Sequence, residues 1–275
     1  MEATQKRLDL GKYSSSGHVT YYLGDTHEGA ANHCDEKLKK AIELIEKDGD
    51  AWIGLGDYVD CINHRDPRFN PQEISERYSV KDLEDLPRRQ SDHFLSAIAP
   101  IKDRCLGLIY GNHEDSYRHH NTFDVVRYMI ENMDVPNLRH KAWVSLMFER
   151  GNKSFPVKLC VCHGAGGGGM REGYPINKVH DVFKYDMADV HVMGHLHQMA
   201  VSRAAYNRYE YGALRQDPVW FAVNGCFLAK STFGNDGYFE QRPGKESSIG
   251  MIKQTIYTSS FSKQGFEIHV EPIYL

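Results

Sequence analysis

Aspartate, histidine and asparagine recur in five short clusters: Gly24-Asp25-Thr26-His27, Gly56-Asp57-Tyr58-Val59-Asp60, Gly111-Asn112-His113-Glu114, Cys162-His163-Gly164 and Gly194-His195-Leu196-His197. Carboxylates, imidazoles and an amide oxygen are hard or borderline ligands that suit Mn²⁺, Fe, Zn²⁺ and similar ions, and no cluster requires a thiolate. Two such ions about 3.5–4 Å apart can share a carboxylate and clamp a phosphoryl group for in-line displacement. Together the clusters supply enough ligands for two. Any one alone is ordinary, since Gly-Asp after a strand is a common turn and a single histidine is usually a partly buried polar side chain. Five in order, each with glycine and ligand-type residues, point to side chains that converge.

The elements that must position them are apolar, β-prone runs at residues 19–23, 51–55, 105–110, 158–161 and 190–193, each directly ahead of a cluster. That spacing places every cluster where a buried strand emerges into a loop. In open α/β sheets the crevice beyond the strands' carboxyl ends is where ligands bind. A helix is predicted over 36–47, with Leu38, Ile42 and Ile45 on one stripe, and others over 92–99 and 123–132. This βαβα order implies right-handed crossovers and a substantially parallel first sheet. Runs 142–148 and 155–161 flank a turn-rich pentapeptide and predict a hairpin. A helix over 176–185 and strands over 199–205, 219–223, 251–258 and 266–273 complete the pattern. Two packed mixed sheets with helices outside, a four-layer αββα sandwich in the α/β class, account for it within one domain spanning 1–275.

In these motifs the chain resembles the calcineurin-like metallophosphoesterases, whose signature runs D-x-H, G-D-x-x-D, G-N-H-[ED], an isolated H, and G-H-x-H. The resemblance spans Asp25 to His197 and implies the same αββα sandwich. It also implies one metal held by Asp25, His27, Asp57 and His197, and another by Asp57, Asn112, His163 and His195, with Asp57 bridging. A water or hydroxide between the ions would attack phosphorus. His113 would contact the phosphoryl group together with Asn112 and protonate or stabilise the leaving oxygen, and Asp60 would orient that imidazole. Glu114 is expected to support its loop. Mn²⁺ is the expected ion, with Fe, Zn²⁺ or Ni²⁺ as alternatives.

Departures from particular branches narrow the expectation. After Asp60 the Ser/Thr phosphatase branch carries an arginine that grips phosphate, and here the residue is Cys61, which cannot replace a guanidinium's charge or bidentate geometry. The two-histidine Gly194-His195-Leu196-His197 ending looks more like the phosphodiesterase and nuclease branches. The resemblance therefore leads to a metal-dependent phosphodiesterase acting on DNA, RNA or a nucleotide-like diester. The alternatives are a phosphomonoesterase or protein phosphatase and, of a different class, a noncatalytic metal-binding module.

Segment 62–91 reads as an insertion, or a cap whose Arg77, Arg88 and Arg89 could meet phosphates, although Asp82, Glu84 and Asp85 are interleaved with them. The run Gly164 to Gly169 lacks the Lys-Ser/Thr end of a P-loop and is either a hinge or a mobile substrate loop, with Arg171 placed over bound phosphate. Asn224-Gly225 reads as a tight turn, and Lys230, Tyr238 and Arg242 are candidates for specificity. Among the remaining histidines, His119 and His120 alone lie close enough after His113 to share a site wall.

The formal net charge of −4 means that any attraction to nucleic acid must come from a local patch. No apolar run is long enough to span a bilayer, and the start of the chain lacks a signal-peptide core. The six cysteines show neither a disulfide framework nor C-x-x-C spacing. A cytoplasmic protein with reduced, packed thiols is expected.

Overall fold

The computed structural model describes residues 2–9, 17–64, 66, 69–150, 152–167, 169, 171–210, 212–229, 246–258 and 266–275. Its strands are β1 (Glu2–Asp9), β2 (His18–Leu23), β3 (Ala51–Gly54), β4 (Cys105–Ile109), β5 (Asn137–Arg139), β6 (Lys141–Arg150), β7 (Lys153–Cys162), β8 (Val190–Met193), β9 (Ala200–Glu210), β10 (Ala213–Val223), β11 (Gly250–Thr258) and β12 (Phe266–Tyr274). The α-helices are α1 (Asp35–Asp48), α2 (Leu86–Ile98), α3 (Asn112–His120), α4 (Val125–Met133) and α5 (Tyr174–Phe183).

One six-stranded sheet has the order β12-β11-β2-β3-β4-β5, the other β1-β6-β7-β8-β10-β9. In the first, β2 to β5 run parallel and β11 joins antiparallel. In the second, β7, β8 and β10 are parallel to one another. Both sheets are therefore mixed, and the carboxyl ends of the five cluster-bearing strands meet at one edge.

Period-2 alternation divides the side chains between layers. Tyr22, Ile53 and Leu55 face the other sheet and pack with Val144, Leu146, Leu159, Val161, Val190 and Val192 in the central core. Tyr21, Leu23 and Trp52 face outward against Leu38, Ile42 and Ile45 of α1, Phe94 of α2 and Met129 of α4. On the far side Cys160, Cys162, Phe221 and Val223 pack against Val179 and Phe183 of α5. The layering is αββα, as the alternation requires.

Several elements depart from their sequence expectations. β1 pairs parallel with β6 from Glu2 opposite Ala142 to Asp9 opposite Glu149, although its sequence shows no apolar alternation. α2 starts at Leu86 with proline in its first turn, six residues before the predicted start and inside segment 62–91. Asn112 and His113 open helix α3 instead of lying in a loop. The Asn224-Gly225 tight turn is replaced by a tie between sheets. Asn224 is fully buried; its amide donates to Met193 O at 2.7 Å and its Oδ1 accepts from Ile252 N at 2.8 Å. Lys230, Tyr238 and Arg242 lie outside the described residues. Among those described, no helix is long and apolar enough to cross a membrane.

Candidate metal centre

The first two cluster loops are joined by their backbones. Asp25 N donates to Gly56 O at 2.8 Å, His27 N to Asp57 O, Glu28 N to Tyr58 O and Asp60 N to Glu28 O, each at 3.0 Å. This short ladder sets Asp25 and His27 beside Asp57. The Asp57 loop is fixed from below by buried Glu114: Oε1 accepts from Tyr58 N at 2.6 Å and Val59 N at 3.2 Å, and Oε2 from Asp57 N at 3.1 Å and Gly111 N at 3.2 Å. Burial, then the charge on Asp57, pushes Glu114 up to about 7, while four amide hydrogens aimed at it favour the ionised form. Gly111 is required by closeness alone, because a Cβ there would overlap the Asp57 amide and carboxylate.

Asp25, His27, Asp57, His195 and His197 all hold positive φ, between 48° and 71°. Non-glycine residues avoid this left-handed region, and such strain persists where the surroundings over-determine it, as at ligand sites.

Their side chains converge. His163 Nε2 lies 2.9 Å from Asn112 Oδ1, 3.2 Å from Asp57 Oδ2 and 3.2 Å from His195 Nδ1. His27 Nε2 lies 3.2 Å from His197 Nε2 and 3.9 Å from Asp57 Oδ2, and His197 Nε2 lies 3.3 Å from Asp25 Oδ1. Asp57 thus stands between a group formed with His163 and His195 and another that includes His27. Asp25 also accepts from His195 N, at 3.1 and 3.0 Å to its two oxygens. A cavity-filling side chain is excluded on this wall too, since a Cβ at Gly194 would sit 2.5 Å from Asp25 Oδ2.

The donor set fits divalent cations. His163 Nδ1 donates to Leu55 O at 2.8 Å, which fixes the tautomer and turns the Nε2 lone pair toward the oxygens of Asn112 and Asp57. Acceptors facing one another in a buried site call for positive charge. Where no ion binds, a proton on His163 Nε2 answers that demand. Burial alone would raise Asp57, yet the His163 and His113 imidazoles hold it well below the usual carboxylate range. Burial works against the His163 cation, but Asp57 pushes it up to about 9.

His113 stands beside this group, its ring 4.7 Å from that of His27. Its Nδ1 donates to the main-chain carbonyl of Asp60 at 2.7 Å, while the Asp60 carboxylate is 3.5 Å away. Both the main-chain carbonyl and the carboxylate of Asp60 thus face His113 Nδ1, the carbonyl at the shorter distance.

Other expected contacts are not formed. Arg171 is exposed and makes no described side-chain contact with the cluster. His195 Nε2 instead meets the glycine-rich loop at Gly166 O, 2.7 Å away. Exposed His119 faces Asp115 and exposed His120 joins it outside the cluster. In segment 62–91, Arg77 is engaged by Glu28 and Asp35, Arg89 by Asp82, and Arg88 lies over the rings of Phe123 and Tyr128. Cys61 is buried in the outer core, with its amide donating to Gln90 Oε1. Arg77, Glu28 and His33 form a polar group that was not singled out from sequence, because Glu28 and Asp35 flank His33 at spacings that match no ligand motif.

Neither a protein-family model nor a curated protein matches the sequence. Among solved structures, the chain is similar to a Streptococcus pneumoniae protein described as a predicted phosphoesterase, at 12% identity and TM-score 0.36 over 94% of this chain and 90% of that one. It is similar also to Entamoeba histolytica Vps29 complexed with Zn²⁺, at 11% identity and TM-score 0.33 over 93% and 98%, and to a Thermotoga maritima protein, at 14% and 0.32 over 93% and 99%. At these scores the assignment rests on the chain's own geometry. The αββα layering and the convergence of the five loops give a two-sheet sandwich carrying a histidine and aspartate cluster suited to metal.

Proposed function

We propose that the protein is a metal-dependent phosphodiesterase acting on nucleic acid or a nucleotide-like diester. The observation that carries this reading is the convergence of Asp25, His27, Asp57, Asn112, His163, His195 and His197 with their lone pairs turned toward one another beside His113. Asp25, His27, Asp57 and His197 would hold one divalent ion and Asp57, Asn112, His163 and His195 the other, Mn²⁺ first among the candidates. Bound there, the ions supply Lewis acidity toward phosphoryl oxygens and a nucleophile at neutral pH.

The chain's own residues do the rest. Asn112 and His113 begin α3, whose amino end favours an anionic group. The Asp60 carbonyl fixes the His113 ring and occupies Nδ1, so proton transfer to a leaving oxygen is assigned to Nε2. A monoester presents two negative charges and a diester one. Cys61 is packed inward and Arg77 is engaged by carboxylates, so neither position supplies a cation for a monoester's second charge, which favours the diester.

Turnover of bis-p-nitrophenyl phosphate and p-nitrophenyl phosphate with Mn²⁺, with Asp57→Asn as blank, tests this. A diester preference abolished by Asp57→Asn is expected. Preference for the monoester would replace the reading with a phosphomonoesterase, and metal-bound protein inactive on both and on DNA, RNA and cyclic nucleotides would replace it with a binding module.

A further inference from the structure

We infer that Glu28, His33 and Asp35 form an additional divalent-cation site, separate from the central cluster. His33 Nδ1 donates to Thr26 O at 2.6 Å, which leaves the Nε2 lone pair of the neutral ring directed away from the backbone. Nε2 faces Glu28 Oε2 at 3.3 Å and Asp35 Oδ1 at 3.5 Å. It is buried and has no hydrogen-bond partner; the His33 and Glu28 side chains are each only 3% exposed. The three donor atoms all lie within 4.8 Å of one another. A carbonyl-anchored imidazole whose second nitrogen meets carboxylates is the arrangement that orients a metal-binding histidine.

The remaining oxygens of the two carboxylates are already held. Arg77 Nη1 donates to Glu28 Oε1 and Nη2 to Asp35 Oδ2, both at 2.6 Å, and the Tyr78 hydroxyl donates to Glu28 Oε1 at 3.0 Å. These contacts fix both carboxylates and leave Oε2 and Oδ1 facing His33, as hydrogen-bonded ligand carboxylates are fixed in metal sites. Two carboxylates against one guanidinium leave a formal charge of −1 around a neutral imidazole. Asp35 is 57% exposed, so water can complete the coordination and an ion can enter from solvent. One imidazole and two carboxylates suit Mn²⁺ or Zn²⁺.

The competing occupant is a proton on Nε2, and metal counting separates the two. Full-length protein is equilibrated with Mn²⁺ or Zn²⁺, and bound metal per chain is measured by mass spectrometry. His33→Gln and Asp35→Asn are each expected to bind one ion fewer than wild type. In an Asp57→Asn background, which disables the central cluster, Asp35→Asn is expected to remove an ion that otherwise stays. Equal counts in wild type and the folded variants overturn the site. If His33→Gln does not fold, Asp35→Asn on the exposed side decides. The phosphoesterase reading stands or falls separately, on turnover.

Discussion

Replacing Glu114 with glutamine tests whether the candidate site is held by backbone hydrogen bonds to a single buried carboxylate. The two oxygens of Glu114 accept from four amides, those of Asp57, Tyr58, Val59 and Gly111. Glutamine keeps one acceptor oxygen, enough for Tyr58 and Val59, and turns an NH₂ group toward the amides of Asp57 and Gly111. Two buried N–H groups then lose their acceptor, at about 1–3 kcal/mol each, so about 2–6 kcal/mol is expected. That is a large share of the roughly 5–15 kcal/mol that holds a typical domain folded. Urea unfolding followed by fluorescence reads the loss, and equilibrium dialysis reads the accompanying fall in Mn²⁺ affinity as the Asp57 loop loosens. A destabilisation below about 1 kcal/mol with unchanged Mn²⁺ binding would refute the reasoning and shift support of the loop to the ladder between residues 25–28 and 56–60.

His113→Gln should retain bound metal while turnover falls about 10²–10⁴-fold, the usual contribution of a positioned acid or base; unchanged turnover removes it from the mechanism. Asp60→Ala keeps the main-chain carbonyl that orients His113 and should slow the reaction far less, and an equal loss in both variants would give that role to the carboxylate. Gly111→Ala places a methyl group against Asp57 and should cost about 1–3 kcal/mol by overpacking, measured as a lower thermal midpoint together with weaker metal binding. Burial pushes Cys105, Cys160 and Cys162 up to about 12 from 9.0. The unfolded chain ionises first as pH rises, so stability should fall from about pH 9 toward pH 12. Urea midpoints at pH 8 and pH 10 check this, and a higher midpoint at pH 10 would contradict it.

The central strands and most of the converging side chains were legible because each strand ends directly in a polar cluster. Val190–Met193, apolar but for His191, is buried on both faces, and its boundaries coincide with the sequence reading. Where burial is one-sided or slight, the signal fades. β1 lies at a sheet edge and its sequence alternates little. β9 and β10 run beyond the residues that touch the core, with Tyr209 and Leu214 exposed, so their outer halves carry no apolar pattern. α2 hides its first turn behind Pro87, Arg88 and Arg89. The contacts of Asp60 and Arg77 depended on distances that no spacing encodes: a main-chain carbonyl nearer than the carboxylate for one, and two acidic partners more than 40 residues away for the other.

The ladder joining residues 25–28 to 56–60 has a consequence for how ions are captured. Asp25, His27 and Asp57 keep their spacing through main-chain bonds that need no metal, with Glu114 bracing the second loop. Capture of an ion by these three residues is therefore docking onto a preformed surface and not coupled folding. Little apolar area leaves water in the process, so the heat-capacity change should be small and the affinity should owe little to ordering of the chain.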